Sequence, residues 1–148
     1  MYLYDLEKII EMWTADASID ETNLGHESVI IPKLHAKYIK ILSMNNLKVK
    51  RLETEYSKMR AMRSKYYDGK LSEDELKTLN WEPYQYKHKL NSQIEELLQG
   101  DSFLIDILTK KMYHQEIKDV CERIVKELSN RTWQIKNALE WNRYTNGG

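Results

Sequence analysis

The fold is decided by residues 31–69, which read IPKLHAKYIKILSMNNLKVKRLETEYSKMRAMRSKYYDG. Pro32 suits the first turn of a helix, and Gly69 is a residue type that commonly ends one. Between them, bulky side chains recur at alternating steps of three and four residues, the heptad pattern of a helix that packs along one seam. The seam consists of Tyr38, Leu42, Asn45, Val49, Leu52, Tyr56, Met59, Arg63 and Tyr66. The stretch therefore predicts a long helix from about residue 26 or 32 to residue 67.

The rest of the chain also predicts helices. Only five of the 148 residues are Gly and two are Pro, so chain breakers are few. We expect an acidic amphipathic helix over residues 4–17 and a capped helix from Ser72 to about Leu79. A third helix should begin at Trp81 and end at Gly100, and a fourth, capped by Asp101 or Ser102, should follow. The predicted fold class is all-α: a helical hairpin or bundle with a long C-terminal helix.

The last helix is too long for the chain to bury alone. From Phe103 to about Tyr144 it would measure about 60 Å at 1.5 Å per residue. Self-association would bury its apolar side, and Trp133 and Trp141 would add an aromatic patch for subunit packing. We therefore predict two units: residues 1–80, with the acidic helix and the helix of residues 31–69, and residues 81–148, which serve oligomerisation. The predicted oligomerisation residues are Ile117, Cys121, Ile124, Leu128, Ile135, Leu139, Trp133 and Trp141.

The formal net charge of zero conceals a strong asymmetry. Residues 1–32 sum to −6, residues 33–67 to +8 and residues 68–148 to −2. Within the basic block, seven cations follow steps of three and four residues if Met44, Glu55 and Met62 are allowed as interruptions, and they would form one stripe: Lys33, Lys37, Lys40, Lys48, Arg51, Lys58 and Lys65. A solvated coiled-coil face is the alternative, but such faces usually mix both signs, and only Glu53 and Glu55 are acidic here. The stripe favours a polyanionic ligand.

The end of the basic block favours single-stranded nucleic acid. Arg60 and Arg63 can form forked hydrogen bonds with phosphate or stack on bases. Tyr66 and Tyr67 offer rings to unstacked bases, although the seam position of Tyr66 favours core packing.

Other chemistry finds no support in the sequence. The four histidines lie in separate segments, and neither a metal-binding motif nor a glycine-rich phosphate loop occurs. We expect no catalytic residue, metal or cofactor, and we expect Cys121 to be a reduced core thiol. No apolar run is long enough to span a bilayer, and the N-terminus lacks the pattern of a signal peptide, so a soluble, intracellular protein is expected.

The segment from Arg60 to Gly69 resembles the UvsY family of recombination mediators from T-even-type bacteriophages, whose basic segment runs into a Tyr-Tyr-x-Gly end. Weaker similarity covers Ile19–Leu24 and Ala138–Tyr144, so the resemblance extends over most of the chain from Ser18 on. Arg63 falls on a matching arginine. Ala61 stands where the family carries a lysine, and Arg60 or Lys58 would take that role.

The resemblance implies a ring-shaped homo-hexamer or homo-heptamer that binds single-stranded DNA in the cytoplasm of the infected host. It implies a mediator that loads a RecA-like recombinase onto strands coated by the phage single-stranded-DNA-binding protein, in recombination, repair and recombination-dependent replication. The alternative is a structural coiled-coil adaptor that binds no nucleic acid. The predicted DNA contacts are Lys58, Arg60, Arg63 and Lys65, with Tyr67 as a stacking ring and Lys48 and Arg51 beside them. Residues 1–80 are therefore the predicted DNA-binding unit.

Overall fold

The computed structural model describes residues 5–86 and 90–147, and within them all regular structure is helical. The helices are α1 (Leu6–Ala17), α2 (Leu24–Val29), α3 (Ile31–Tyr67), α4 (Glu73–Leu79), α5 (Asn91–Gln99) and α6 (Ser102–Thr145). The all-α class and the long C-terminal helix are thus confirmed, whereas ring assembly stays a prediction. None of these helices, within the described residues, is long and apolar enough to cross a membrane.

Helix α3 ends where its sequence predicts. The amide of Gly69 donates to the carbonyl of Tyr66, and the amide of Lys70 donates to the carbonyl of Lys65. This pair of bonds needs a left-handed residue, which Gly69 supplies with φ +71°. Helix α4 then begins with the predicted capping box, in which Ser72 and Glu75 each bond the backbone amide of the other.

The described chain forms two compact units, and α3 and α6 each supply residues to both. The first unit comprises Met1–Leu47 and His114–Gly148, and the second comprises Lys48–Tyr113. This division of the fold crosses both long helices. The functional division at residue 80, into DNA-binding and oligomerisation parts, stays a prediction.

The core of the first unit lies between α1, α3 and α6. Its buried side chains are Ile9, Tyr38, Ile41, Ile117, Cys121, Ile124 and Leu128. Each fully buried aliphatic side chain here contributes about 1.5 to 3 kcal/mol to stability. Arg131 closes the unit at the end of α1, because its Nη2 donates to the carbonyls of Asp16 (2.8 Å) and Ala17 (2.9 Å). The acidic N-terminal segment is therefore a packed helix.

The core of the second unit gathers aromatic rings around the end of α3. Tyr67, Ile94, Leu98 and Leu104 are buried there, and Tyr66 and Tyr84 pack against them. The hydroxyl of Tyr66 donates to the carbonyl of Glu82 at 2.7 Å. The core-packing role predicted for Tyr66 is therefore confirmed.

The predicted helix from Trp81 is wrong in its first half. Residues 81–86 are not helical, α5 begins only at Asn91, and Leu90 is its N-cap residue. Residues 87–89 lie outside the described part. The physical reason is Pro83, which disfavours helical geometry at the residue before it. Trp81 and Tyr84 instead place their rings 5.5 Å from the ring of Tyr66, so tertiary packing holds the segment in a non-helical conformation.

Candidate nucleic-acid interface

The basic face of α3 is exposed in both units. In the second unit, Arg51, Lys58 and Lys65 are exposed and recur every seven residues, which places them on one side of the helix. In the first unit, Lys33 and Lys40 are also exposed and seven residues apart. Lys48 is half-buried. The predicted stripe therefore exists as a row of solvent-facing cations within each unit.

Lys37 and Arg60 of the basic block belong to surface ion pairs. Lys37 Nζ lies 2.6 Å from Asp16 Oδ2, on the last turn of α1. Arg60 Nη2 lies 2.7 Å from both carboxylate oxygens of Glu95 on α5, and these hydrogen bonds raise the pKa of the guanidinium. Surface pairs of this kind contribute about 0 to 1 kcal/mol. A phosphate can therefore replace Glu95 as the partner of Arg60 at little cost.

Arg63 and Tyr67 are buried and share one carboxylate. Arg63 Nε donates to Asp101 Oδ2 at 2.7 Å, and the hydroxyl of Tyr67 donates to the same oxygen at 2.5 Å. The other oxygen of Asp101 accepts from the amides of Phe103 and Leu104, so the same side chain caps α6. Burial raises the pKa of Tyr67, and its bond to the Asp101 carboxylate raises it further. Both predicted DNA-contacting side chains are thus engaged inside the second unit.

Four aromatic rings surround the guanidinium of Arg63. The distances from its central carbon to the ring centroids are 4.4 Å for Tyr66, 4.6 Å for Trp81, 4.7 Å for Phe103 and 5.0 Å for Tyr67. Each such contact attracts the cation to the electron-rich face of a ring. The arginine is therefore held by an aromatic cage and by the carboxylate together.

Two acidic residues of α4 lie beside the C-terminal end of the stripe. Lys65 and Met62 of α3 line a cleft of about 400 Å³ with Asp74 and Glu75 of α4. These carboxylates reduce the positive potential around Lys65. Arg51 and Lys58 do not line this cleft, but exposed Glu55 lies between them on the same helix face, four residues after Arg51 and three before Lys58.

The predicted oligomerisation residues separate into two groups. Five of them are buried within the subunit: Ile117, Cys121, Ile124, Leu128 and Ile135. Three are exposed: Trp133 (63%), Leu139 (45%) and Trp141 (65%). The ring of Trp141 stacks on Tyr144, with centroids 5.9 Å apart. Their oligomerisation role stays a prediction, and only the exposed group has surface to offer a second subunit in this conformation.

Sequence reasoning missed the residues that join distant segments. Asp101 lies 38 residues after Arg63, and Asp16 lies 22 residues before Tyr38, whose buried hydroxyl donates to it at 2.7 Å. No local pattern signals such pairs. The available signal was Arg63 itself, a charged residue at a seam position, which requires a buried partner of opposite charge. Within residues 5–86 and 90–147, no group of three or more His, Cys, Asp or Glu side chains could hold a metal ion.

The fold and this face define an all-helical protein that presents rows of cations along a long helix. Residues 12–148 match the sequence profile of the family described as "Recombination, repair and ssDNA binding protein UvsY". The chain therefore belongs to the UvsY family, and the resemblance noted in the sequence is confirmed.

Solved structures agree with this placement. The chain is similar to crystal structures of the bacteriophage T4 recombination mediator protein UvsY. The lattice type IV structure gives a TM-score of 0.82 at 20% identity, over 95% of this chain and 99% of that one. The type II structure gives 0.80 at 23% identity, over 98% and 99%, and the type I structure gives 0.77 at 21% identity, over 91% and 96%. At these identities the likeness establishes the fold. No curated protein sequence matches the chain significantly.

Proposed function

We propose that this protein is a recombination mediator that binds single-stranded DNA and loads a RecA-like recombinase onto strands coated by single-stranded-DNA-binding protein. The work belongs to phage recombination, repair and recombination-dependent replication in the host cytoplasm. Membership of the UvsY family supports the mediator role. The observation that carries DNA binding is the exposed basic face of α3, where Arg51, Lys58 and Lys65 repeat every seven residues.

The structure narrows the proposed contacts. Arg51, Lys58 and Lys65 are exposed and need no rearrangement to meet phosphates. Arg60 can exchange its surface bond with Glu95 for a phosphate. Arg63 and Tyr67 would first have to leave Asp101, which would strand a buried carboxylate. We therefore assign them a supporting role, in which they hold α3 in place behind the exposed cations.

Oligomerisation would multiply the number of exposed cations that contact one DNA strand. A few exposed cations per subunit bind a strand weakly and in a salt-sensitive manner. A homo-hexamer or homo-heptamer would hold many such faces on one strand, and linked contacts raise the overall affinity strongly. The exposed Trp133, Leu139 and Trp141 are the proposed subunit contacts. Loading itself consumes no nucleotide in this proposal, since ATP hydrolysis belongs to the recombinase.

Fluorescence anisotropy of a labelled single-stranded oligonucleotide, measured across a salt series, tests DNA binding. The variant Lys58→Ala/Lys65→Ala should bind more weakly and with a flatter salt dependence, by about 0.7 in the log–log slope per lost phosphate contact. Lys110→Ala/Lys126→Ala removes the same charge from exposed positions of α6 and should bind like the wild type. Light scattering should establish that all three proteins have the same oligomeric state. No binding by an intact wild-type oligomer would favour the coiled-coil adaptor instead.

A loading assay tests the mediator role separately. The recombinase's DNA-dependent ATPase is measured on strands already coated by single-stranded-DNA-binding protein, with and without this protein. Addition should restore the ATPase, and the Lys58→Ala/Lys65→Ala variant should restore less. DNA binding without any restoration would refute loading while leaving DNA binding intact.

A further inference from the structure

A row of aromatic rings runs outward from the end of α3 in the second unit. Tyr84 lies against Tyr66 with ring centroids 5.5 Å apart and against Tyr67 at 5.1 Å. Tyr86 follows, with its ring centroid 5.7 Å from that of Tyr84 and the two planes at 62°. The row therefore runs from Tyr66, on the turn of α3 that also carries Lys65, to Tyr86.

The inner rings of this row are committed to the fold. Tyr67 is 9% exposed and is hydrogen-bonded to Asp101. Tyr66 donates its hydroxyl to the backbone of Glu82, and its ring packs against the guanidinium of Arg63. Neither ring can accept an unpaired base without breaking these contacts.

Tyr86 is different because it is supported from one side and open to solvent. Its side chain is 70% exposed, while its ring contacts that of Tyr84, two residues earlier in the same non-helical segment. A solvated tyrosine on a loop is the simpler reading. However, an isolated ring would pay a conformational entropy cost on stacking, and a ring that already rests on another pays less of it.

We propose that Tyr86 is a stacking platform for an unpaired nucleobase of the strand bound on the basic face of α3. This inference rests on the proposed single-stranded-DNA binding and adds a base contact to it. Stacking is indifferent to base identity because every base has a π-face, which suits a protein that must bind any sequence. Lys58 and Lys65 would hold phosphates while Tyr86 contacts a base. The phosphate contacts would weaken with salt, and the Tyr86 contact would require a base.

The test compares two labelled probes of equal length, oligo(dT) and an abasic strand with the same phosphates and no bases. Tyr86→Leu keeps apolar bulk and removes the π-face. It should lose about fivefold or more in affinity for oligo(dT). Its affinity for the abasic strand and its salt slope should equal those of the wild type. Tyr86→Trp keeps a π-face and should bind oligo(dT) as the wild type does. Gln85→Ala, at an exposed neighbouring position, should change the affinity for neither probe.

The outcomes separate this inference from the proposed function. If the wild type binds both probes with a steep salt slope and Tyr86→Leu binds both equally well, DNA binding stands and Tyr86 has no stacking role. If Tyr86→Leu weakens both probes by the same factor, its effect is not on bases and the inference is also overturned. If an intact wild-type oligomer binds neither probe, both proposals fail.

Discussion

Asp101 and Arg63 form a buried ion pair, in which the carboxylate of Asp101 has no solvent-exposed surface and Arg63 Nε lies 2.7 Å away. The pair connects the last turns of α3 to the first turn of α6 within the second unit. It also explains why a basic residue occupies a position of the apolar seam. The charge is neutralised by Asp101, and the surrounding aromatic rings replace the water that the guanidinium gives up.

Asp101→Asn should destabilise the protein strongly. Asparagine caps helices as well as aspartate does, so the substitution leaves the start of α6 intact and removes the charge opposite Arg63. Loss of one partner of a buried pair costs about 3 to 5 kcal/mol. Urea unfolding followed by circular dichroism measures the cost. Glu95→Gln, which breaks the exposed pair with Arg60, is the control and should cost less than about 1 kcal/mol. Equal costs for the two variants would contradict the assignment.

Stability should fall in acid because folding lowers the pKa of several carboxyl groups, Asp101 and Asp16 among them. Burial alone would raise the pKa of Asp101, but hydrogen bonds from Tyr67 and Arg63 outweigh burial and hold it below 3.8. Burial likewise opposes the lowering at Asp16, where Lys37 and Tyr38 supply the bonds that hold its pKa low. A lowered pKa contributes stability that is complete above the unfolded value and is lost as pH falls through the folded one. The free energy of unfolding should therefore be steady down to about pH 4 and decline below it.

Urea titrations at successive pH values below neutrality provide the measurement. Asp101→Asn should show a shallower decline in acid than the wild type, because the contribution of Asp101 is gone. Glu55→Gln removes an exposed carboxylate and should follow the wild-type curve. If the free energy of unfolding of Asp101→Asn falls with pH as steeply as that of the wild type, other titrating groups cause the fall.

Asp74→Asn should strengthen binding of single-stranded DNA. Asp74 faces the same cleft as Lys65, so removal of its charge raises the positive potential at that end of the basic face. We expect a gain of roughly two- to threefold at low salt, which vanishes as salt screens the interaction. Anisotropy titrations of an oligonucleotide at two salt concentrations measure it. Asp106→Asn, an exposed aspartate of α6, should have no such effect. An equal gain in both variants would point to net charge alone, and no gain would place the strand away from Lys65.

Cys121 should be unreactive in the native protein. The side chain is completely buried in the first core, and burial raises the pKa of the thiol to about 11. A thiol needs both access and thiolate character to react, and this one has neither near neutral pH. Labelling with a chromogenic disulfide reagent should therefore proceed only after unfolding in denaturant. Rapid stoichiometric labelling of the native protein would show that the α6 face opens in solution.

Local signals predicted the helices well, because heptad spacing, a capping box and Gly69 each act within a few residues. The prediction that the third helix begins at Trp81 is wrong. The apolar residues there have helical spacing, but Pro83 and ring contacts to Tyr66 outweigh that preference. Those contacts span 15 residues or more and leave no periodic trace in the sequence. Tertiary packing decided that segment.

The sequence predicts the positive charge of the candidate interface, but it does not predict which of its cations are buried or what their partners are. Arg51, Lys58 and Lys65 lie outside the apolar seam, so packing along the seam leaves them exposed. Arg63 belongs to the same run of cations but points into the core. Only its seam position distinguished it, and the identity of its partner depended on a fold that brings Asp101 to it.

The carboxylate that caps α6, pairs with Arg63 and accepts from Tyr67 also constrains how this sequence can change over time. Replacing the acid alone strands a cation, and replacing the arginine alone strands an anion, so single steps at either position are costly. We expect positions 63 and 101 to change together among relatives, with an uncharged side chain at 63 and a neutral capping residue such as Asn or Ser at 101 as the natural substitute. Co-variation of these two positions would then reflect packing in the second unit. It would not reflect DNA binding, although residue 63 lies within a run of basic residues.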